Sequence, residues 1–221
     1  MQRHAIIVAG GSGKRMGAPI PKQFLEINGA PILVHTLNVF HRFDPTIQLV
    51  VVMAKDWMDH WKGLLANFNT PEHQLVEGGA ERFHSVANGL ALIQGEGVVG
   101  IHDAVRPLVS VDTLERCYEK AAAGESVIPV VPVTESLRFV DGDGNKAVER
   151  SSYRIVQTPQ CFPLSTIRAS FEQGYHPFFT DDASVAESAG FTITTVEGNT
   201  ENIKITSPQD LVLAKSLLPH D

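Results

Sequence analysis

Short apolar runs alternate along this chain with segments whose apolar residues fall at helical spacing. Ala5–Ala9 and Leu49–Met53 are continuous apolar runs, as in strands that are covered on both faces of a sheet. Between them, the apolar residues of 33–40 follow the spacing of a helix that packs on such a sheet. Repeated units of this kind predict an α/β protein, a Rossmann-like three-layer αβα sandwich with a mostly parallel sheet.

The alternation continues to the end of the chain. Pro129 and Pro132 interrupt one apolar run, which indicates an edge strand or a bulge. Ser207-Pro-Gln-Asp210 has the residue types of a helix start. The further predicted strands are 74–77, 98–101, 126–133, 191–196 and 202–205, and the further predicted helices are 57–68, 86–93, 114–123, 164–171, 182–189 and one beginning after Ser207.

Residues 134–160 break this rhythm. Leu137–Val140 and Ala147–Arg150 flank the sequence Asp-Gly-Asp-Gly-Asn at 141–145, which is typical of a hairpin turn. We therefore expect a projecting β-hairpin arm, 134–160, inserted into a single domain that spans 1–221.

A glycine-rich segment, Ala9–Gly17, follows the first predicted strand. Glycines at a strand end allow a tight turn and let a phosphate approach backbone N–H groups. A Walker A loop would need glycine at Val8 and serine or threonine at Arg15, and a GxGxxG fingerprint would need glycine at Met16. The sequence thus argues against a P-loop NTPase and against an NAD enzyme.

The charge is distributed unevenly. The formal net charge of −7 argues against a general nucleic-acid-binding protein. The first 25 residues, however, hold four basic residues and none of the 25 acidic ones, which favours a small anionic ligand. Lys14, Arg15 and Lys22 would suit a triphosphate whose charge grows during phosphoryl transfer.

The composition also bears on location. No apolar run reaches the roughly 18 residues of a membrane span, and the first residues lack the pattern of a signal peptide. We expect a cytoplasmic protein without a membrane partner. Cys117 and Cys161 have no metal-binding spacing and are expected to be reduced structural thiols.

Three polar residues are candidates for chemistry. Asp103 follows a predicted strand, where it could hold Mg²⁺ or cap a turn. Ser85 lies at a loop-to-helix junction, where its hydroxyl could meet a nucleobase or its own helix backbone. Lys204 lies in an apolar stretch and could extend to solvent or meet an anion.

Taken in order, the motifs of this chain resemble the family of 2-C-methyl-D-erythritol 4-phosphate cytidylyltransferases of the non-mevalonate isoprenoid pathway. The resemblance covers nearly the whole chain and implies the nucleotide-diphospho-sugar transferase type of fold. The segments that carry it are Lys14-Arg15-Met16 after the glycines, Pro21-Lys22-Gln23, Gly78-Gly79 with Arg82 and Ser85-Val86, His102-Asp103-Ala104 with Arg106-Pro107, Thr158-Pro159-Gln160, Thr180–Ala183 and Asn202-Ile203-Lys204.

The resemblance implies roles for individual residues. Arg15 and Lys22 would stabilise the transition state, and Lys204 would neutralise phosphate charge. Asp103 would hold Mg²⁺ or another divalent cation. The remaining CTP-binding residues would be Ala9, Gly10, Gly11, Gly13, Lys14, Gly79, Ser85 and Ala104, of which Gly79 and Ser85 would recognise cytosine. The polyol phosphate would be bound by Arg106, Ser136, Arg150 and Thr180. Arm residues in this family reach into the partner's site, which implies a homodimer.

The chain departs from one common version of the pattern at three positions. Ala80 replaces an acidic residue after the two glycines, so a contact to the base or ribose is in doubt. Ser136 replaces a threonine and keeps the hydroxyl. Lys14 replaces an arginine.

Three alternative functions remain open at this point. A cytidylyltransferase for ribitol 5-phosphate or another polyol phosphate would share much of the pattern. A nucleotidyltransferase for a sugar 1-phosphate fits less well, because Arg106, Arg150 and the 180–183 segment have no role there. A catalytically silent nucleotide-binding dimer is disfavoured by the presence of Arg15 and Lys22 together with Asp103 and Lys204.

Overall fold

The computed structural model describes residues 1–10 and 20–218. Short 3-10 turns occur at Lys22–Phe24, Lys55–Trp57 and Arg150–Ser152. The strands are β1 Arg3–Ala9, β2 Glu26–Ile27, β3 Ala30–Pro31, β4 Gln48–Met53, β5 His73–Glu77, β6 Val98–Asp103, β7 Ser126–Pro132, β8 Arg138–Asp141, β9 Gly144–Ala147, β10 Arg154–Val156, β11 Gln160–Pro163 and β12 Ile193–Glu197. The helices are α1 Ile32–Phe43, α2 Met58–Leu65, α3 Arg82–Leu92, α4 Val111–Ala122, α5 Leu164–Phe171, α6 Asp182–Ser188 and α7 Pro208–Leu217.

Eight strands form the main sheet, in the order β10-β7-β11-β6-β1-β4-β5, with β12 also paired to β7. β1 runs parallel to both β4 and β6, and β5 and β12 are likewise parallel to their neighbours. Only β10 and β11 pair antiparallel in this sheet as described. The expected mostly parallel sheet is confirmed.

Helices cover the sheet on both faces. Ala5, Ile7 and Ala9 of β1 enter a core with α1, α2 and α4, whereas Ile6 enters a second core with α3, α5 and α6. Successive strand residues point to opposite faces, so a strand buried on both faces is apolar throughout. This arrangement explains the continuous apolar runs and confirms the three-layer prediction.

The arm is a two-stranded hairpin of β8 and β9, with Asp141 paired to Gly144 across the tight turn. Gly142 in that turn has φ of +54°, a conformation that favours glycine. Residues 154–156 and 160–163 pair with β7 and β6 in the main sheet. The chain therefore returns to the sheet earlier than the predicted arm boundary at 160.

The edge position predicted as one alternative for β7 and the strand predicted at 202–205 are both wrong. β7 is an internal strand, because β12 pairs on one side and β10 and β11 pair on the other. The carbonyl of Pro129 accepts from Gln157 N in the gap between β10 and β11, so the missing N–H of Pro129 faces that gap. Residues 202–205 form no strand: the Asn202 carbonyl bonds to side chains instead of a ladder.

None of the described helices is long and apolar enough to span a membrane. Cys117 and Cys161 are both buried and free, as expected.

Candidate active site

A cleft opens where β1 and β6 end. Val8 of β1 pairs with Asp103 of β6, so the two parallel strands end side by side. Open α/β sheets bind ligands at this edge. The cleft has a volume of about 290 Å³, and its lining includes eight residues predicted from the sequence: Ala9, Gly10, Lys22, Gly79, Ser85, Asp103, Ala104 and Lys204.

Asp103 is the charged centre of the cleft. Its Oδ2 atom lies 3.0 Å from Lys204 Nζ and 3.1 Å from Arg106 Nε. Burial alone would raise the pKa of the Asp103 carboxyl, but Lys204, Arg82 and Arg106 together hold that pKa well below its usual range. Asp103 is therefore an ionised carboxylate among cations at neutral pH.

Lys22 is placed by a 3-10 turn that is anchored at two points. Gln23 donates from Nε2 to the Ala9 carbonyl at 2.7 Å, which ties the turn to the end of β1. Phe24 packs among the tryptophan rings of α2 and the turn before it. Lys22 Nζ donates to the Ile205 carbonyl at 3.1 Å. The ammonium group is thus held at the rim near the segment that carries Lys204.

Ser85 contacts its own helix backbone, one of the two roles predicted for it. Its hydroxyl donates to the Glu81 carbonyl at 3.2 Å, within its own helix start, and accepts from Gly79 N at 3.1 Å. It also lines the cleft. Gly79 is required here because a Cβ atom would collide with the side chain of His84. The first turn of α3 and the glycine loop before it are therefore one packed unit.

An ion pair between a half-buried arginine and a buried carboxylate joins this unit to α6. Arg82 Nη2 lies 2.7 Å from Oδ2 of Asp182, which is only 1% exposed. Burial raises the pKa of the Asp182 carboxyl even though Arg82 opposes that shift. Since Thr180 lies just before α6, the ion pair connects a predicted substrate residue to the helix that carries Ser85.

His102 is buried directly behind the cleft. The Thr158 hydroxyl accepts from Asp103 N at 3.1 Å, so its single proton is available for His102 Nδ1 at 3.0 Å. His102 Nε2 then donates to the Arg106 carbonyl, also at 3.0 Å. These partners fix the neutral imidazole, and burial lowers the pKa of His102 to about 4. This geometry assigns His102 a structural role behind the cleft.

The chain matches known proteins along nearly its whole length. The model of the family described as IspD, 2-C-methyl-D-erythritol 4-phosphate cytidylyltransferase, matches residues 3–220. The chain belongs to this family. A relative of that name from Bacteroides fragilis is 49% identical over 219 residues, covering 99% of this chain and 100% of the relative. Another, from Geobacillus kaustophilus, is 40% identical and covers 99% and 97%.

Solved structures with the IspD fold give the same result. A 2-C-methyl-D-erythritol 4-phosphate cytidylyltransferase from Francisella tularensis has a TM-score of 0.81 at 31% identity, covering 99% of this chain and 100% of that chain. A 4-diphosphocytidyl-2C-methyl-D-erythritol synthase from Anaerococcus prevotii has a TM-score of 0.83 at 28% identity, covering 97% and 95%.

The structure brings together only part of the residue set implied by the IspD resemblance. Gly11, Gly13, Lys14 and Arg15 lie outside the described residues, so their roles stay predictions. Arg106 lies beside the cleft on Asp103. In the described part of the chain, Arg106 and the three other predicted substrate residues all lie outside the cleft lining; those three are Ser136, Arg150 and Thr180. Arg150 donates to the Thr134 carbonyl within the arm, and Thr180 N donates to Ser184 Oγ.

Two side chains that hold the parts of the cleft together were missed as site residues. Gln23 and Arg82 both line the cleft. Both occur in motifs that carry the IspD resemblance, but their roles depend on partners 14 and 100 residues away, at Ala9 and Asp182. Sequence spacing carries no signal for such pairs.

The residues present fit a Mg²⁺ ion that is shared with phosphate. Asp103 supplies an ionised carboxylate, and both of its ion pairs use Oδ2. Among the described residues no group of three or more histidine, cysteine or acidic side chains could enclose a metal. Mg²⁺ is commonly held by one or two carboxylates together with substrate phosphates and water. Asp103 therefore suits an ion that arrives with a nucleotide.

The low pKa of His102 predicts acid sensitivity. An unfolded histidine has a pKa of about 6.5, so between pH 6.5 and about 4 the unfolded chain binds more protons than the folded one. His102 makes its full contribution to the free energy of unfolding above that interval. The contribution falls by about 3 kcal/mol as the pH drops through the interval. Urea unfolding at pH 7 and at pH 4.5 measures the loss.

His102→Gln should flatten this pH dependence, although it lowers the stability at pH 7. The exposed His41→Gln is the control and should keep the wild-type slope, because His102 is still present. An unchanged slope in His102→Gln would contradict the assignment.

Proposed function

We propose that this protein transfers CMP from CTP to 2-C-methyl-D-erythritol 4-phosphate and releases pyrophosphate. The observation that carries the proposal is the cation-rich cleft around Asp103, in a chain that belongs to the IspD family. Lys22, Lys204 and Arg106 converge there, and a glycine-rich segment follows β1. This is a site for joining two phosphate-bearing molecules.

The reaction needs little help from a general base. A phosphate monoester has its second pKa near 6, so the attacking oxygen is already anionic at neutral pH. That oxygen forms a bond to the α-phosphorus of CTP as the bond from that phosphorus to the oxygen of the leaving pyrophosphate breaks. The electron pair leaves with the pyrophosphate, so no proton has to move.

The residues of the cleft fit that requirement. Lys22, together with Arg15, would face the charge that develops at the α-phosphorus, where fixed cations are most effective. Lys204 would hold the attacking phosphate near the α-phosphorus and reduce the repulsion between that phosphate and the triphosphate of CTP. Ser85 and Gly79 would meet the cytosine at the first turn of α3.

Asp103 would hold Mg²⁺ in this reaction. The bound ion would neutralise phosphate charge and orient the triphosphate. Lys204 Nζ lies 3.0 Å from Oδ2 of Asp103. It would therefore be near enough to contact phosphate oxygens once the nucleotide is present.

Pyrophosphate release tests the function directly. Release with CTP, Mg²⁺ and 2-C-methyl-D-erythritol 4-phosphate is expected to exceed release with ribitol 5-phosphate, measured as kcat/KM. A higher kcat/KM for ribitol 5-phosphate would assign the chain to the alternative polyol. CTP binding without release would favour a silent nucleotide-binding protein.

We also propose that the protein works as a homodimer through its arm. All eight residues of β8 and β9 are exposed in the single chain, among them Phe139 and Val140. Ile155 and Val156 of β10, at the base of the arm, are exposed as well. Apolar surface of this extent on a projecting hairpin is typical of an interface. Ser136 and Arg150 would then serve the partner's cleft.

A mixture of two inactive variants tests this arrangement. Lys22→Ala chains and Arg150→Ala chains, unfolded together and refolded, should regain about a quarter of the wild-type sites through random pairing. Each mixed dimer then has one site with both groups intact. Recovery should be absent in each variant refolded alone. Mixed dimers that form without regaining activity would contradict the exchange of arms.

A further inference from the structure

The candidate site depends on a buried side chain that has no place among the binding residues considered so far. Asn202 is fully buried, and it lies two positions before Lys204. It belongs to the segment 199–205, which forms no strand. We propose that Asn202 is a positioning residue that holds Arg106 and Lys204 on Asp103.

The backbone of Asn202 is connected to Asp103 through Arg106. Its carbonyl oxygen accepts from Arg106 Nη1 at 2.8 Å, while Arg106 Nε contacts Asp103. One guanidinium group thus joins the Asn202 backbone to the central carboxylate. Lys204 is only two residues further along the chain. The position of the Asn202 backbone therefore sets the positions of both cations, Arg106 and Lys204.

The side chain of Asn202 fixes that backbone from the other direction. Its Nδ2 donates to the Thr158 carbonyl at 2.9 Å, and the Gln157 amide donates to the Asn202 carbonyl at 3.3 Å. Thr158 in turn contacts the backbone of Asp103 through its hydroxyl. The segment before β11 and the segment before α7 are therefore bonded to each other beside Asp103, and Asn202 makes the bond between them.

An asparagine at position 202 would be unfavourable if it served packing alone. Its Oδ1 is buried and accepts no hydrogen bond within the described part of the chain. A buried acceptor without a partner is unfavourable. The contribution that offsets this cost comes from the side-chain amide, which donates to the Thr158 carbonyl next to the contact with Asp103.

This inference rests on the proposed function, and a double-mutant cycle tests it. Asn202→Ala should lower kcat/KM for the polyol phosphate about 10- to 100-fold, the range seen when an outer partner of a metal site is lost. In a Lys204→Ala background the same change should cost at least about threefold less than in the wild type, because only Arg106 is left for it to position. Effects that simply multiply would overturn the proposal.

Asn199→Ala is the matched control. Asn199 holds the same segment through the Leu108 carbonyl and Ser110 N, whereas the side chain of Asn202 binds Thr158, which contacts Asp103. Its effect on kcat/KM should multiply with that of Lys204→Ala. If Asn199→Ala shows the same dependence on Lys204, positioning belongs to the segment as a whole and the assignment to Asn202 fails.

A second measurement does not depend on turnover. The rate at which acetic anhydride labels Lys204, followed by mass spectrometry, should rise at least about threefold in Asn202→Ala, because the ammonium group is no longer held on Asp103. Asn199→Ala should leave that rate unchanged. An unchanged rate in Asn202→Ala contradicts the proposal, whereas absence of turnover in the wild type would contradict only the proposed function.

Discussion

Replacing Lys22 with alanine is expected to lower kcat at least about a hundredfold, the loss that follows removal of one fixed group facing developing charge. The ammonium group lies at the rim of the cleft, and Gln23 and the Ile205 carbonyl hold it there. A group that acts mainly in the transition state should lower kcat and kcat/KM together. Arg15→Ala is expected to behave in the same way.

Steady-state pyrophosphate release gives both constants. Lys62→Ala serves as the control, because this lysine is exposed on α2 and pairs only with the exposed Asp59 among the contacts described. Its kcat should remain within about twofold of the wild type, as for most surface substitutions. If Lys22→Ala raised KM for CTP and left kcat unchanged, Lys22 would bind the ground state and the transition-state role would be wrong.

The architecture could be predicted because the sheet is covered on both faces. Residues such as Ile6 and Ile7 enter opposite cores, so β1 is apolar at every position from Ala5 to Ala9 and stands out in the sequence. The order of strands and helices follows directly from that signal. The hairpin could be predicted for a different reason, since Gly142 needs a conformation that few other residues adopt.

The errors share a physical cause, which is pairing between distant parts of the chain. Pro129 indicates an edge strand only if its missing N–H faces solvent, and here that group faces a gap created by residues near 157. The segment 202–205 is apolar and short like a strand, yet its backbone bonds to Arg106 and Gln157 side chains. Neither partner can be identified from local pattern.

The same limit applies to the site. Lys204 could be predicted only as a lysine that meets either solvent or an anion, and its contact with Asp103 decides between them. The position of Arg82 is fixed by Asp182, which lies 100 residues later in the chain. The local sequence pattern around Arg82 therefore gives no sign of this ion pair. Both residues lie in motifs whose order along the chain carries the family resemblance, and that order is independent of their partners.

Asp103→Asn is expected to lower kcat more than about a hundredfold, because the change removes the negative charge around which the cleft is built. Lys204 and Arg106 both contact Oδ2 of Asp103, and asparagine there keeps the shape but not the charge. Weaker binding of Mn²⁺ in the presence of CTP, measured by paramagnetic resonance, should accompany the loss if the carboxylate holds the metal.

The same substitution should change the pH dependence of stability. The pKa of Asp103 lies below that of an unfolded aspartate, about 3.9, so ionisation stabilises the folded state at all higher pH values. That contribution is lost as the pH falls through the folded pKa. Asp103→Asn resembles the protonated acid, so it should be less stable than the wild type at pH 7, and the difference should shrink below about pH 4.

Chemical unfolding across this pH range separates the two effects of Asp103. Asp59→Asn is the control, because its side chain is 96% exposed and should change neither kcat nor the stability difference. A variant Asp103→Asn that is as stable as the wild type at pH 7 would mean that the cations do not stabilise the carboxylate. A normal kcat in that variant would remove Asp103 from the metal site, even if its effect on stability followed the expected course.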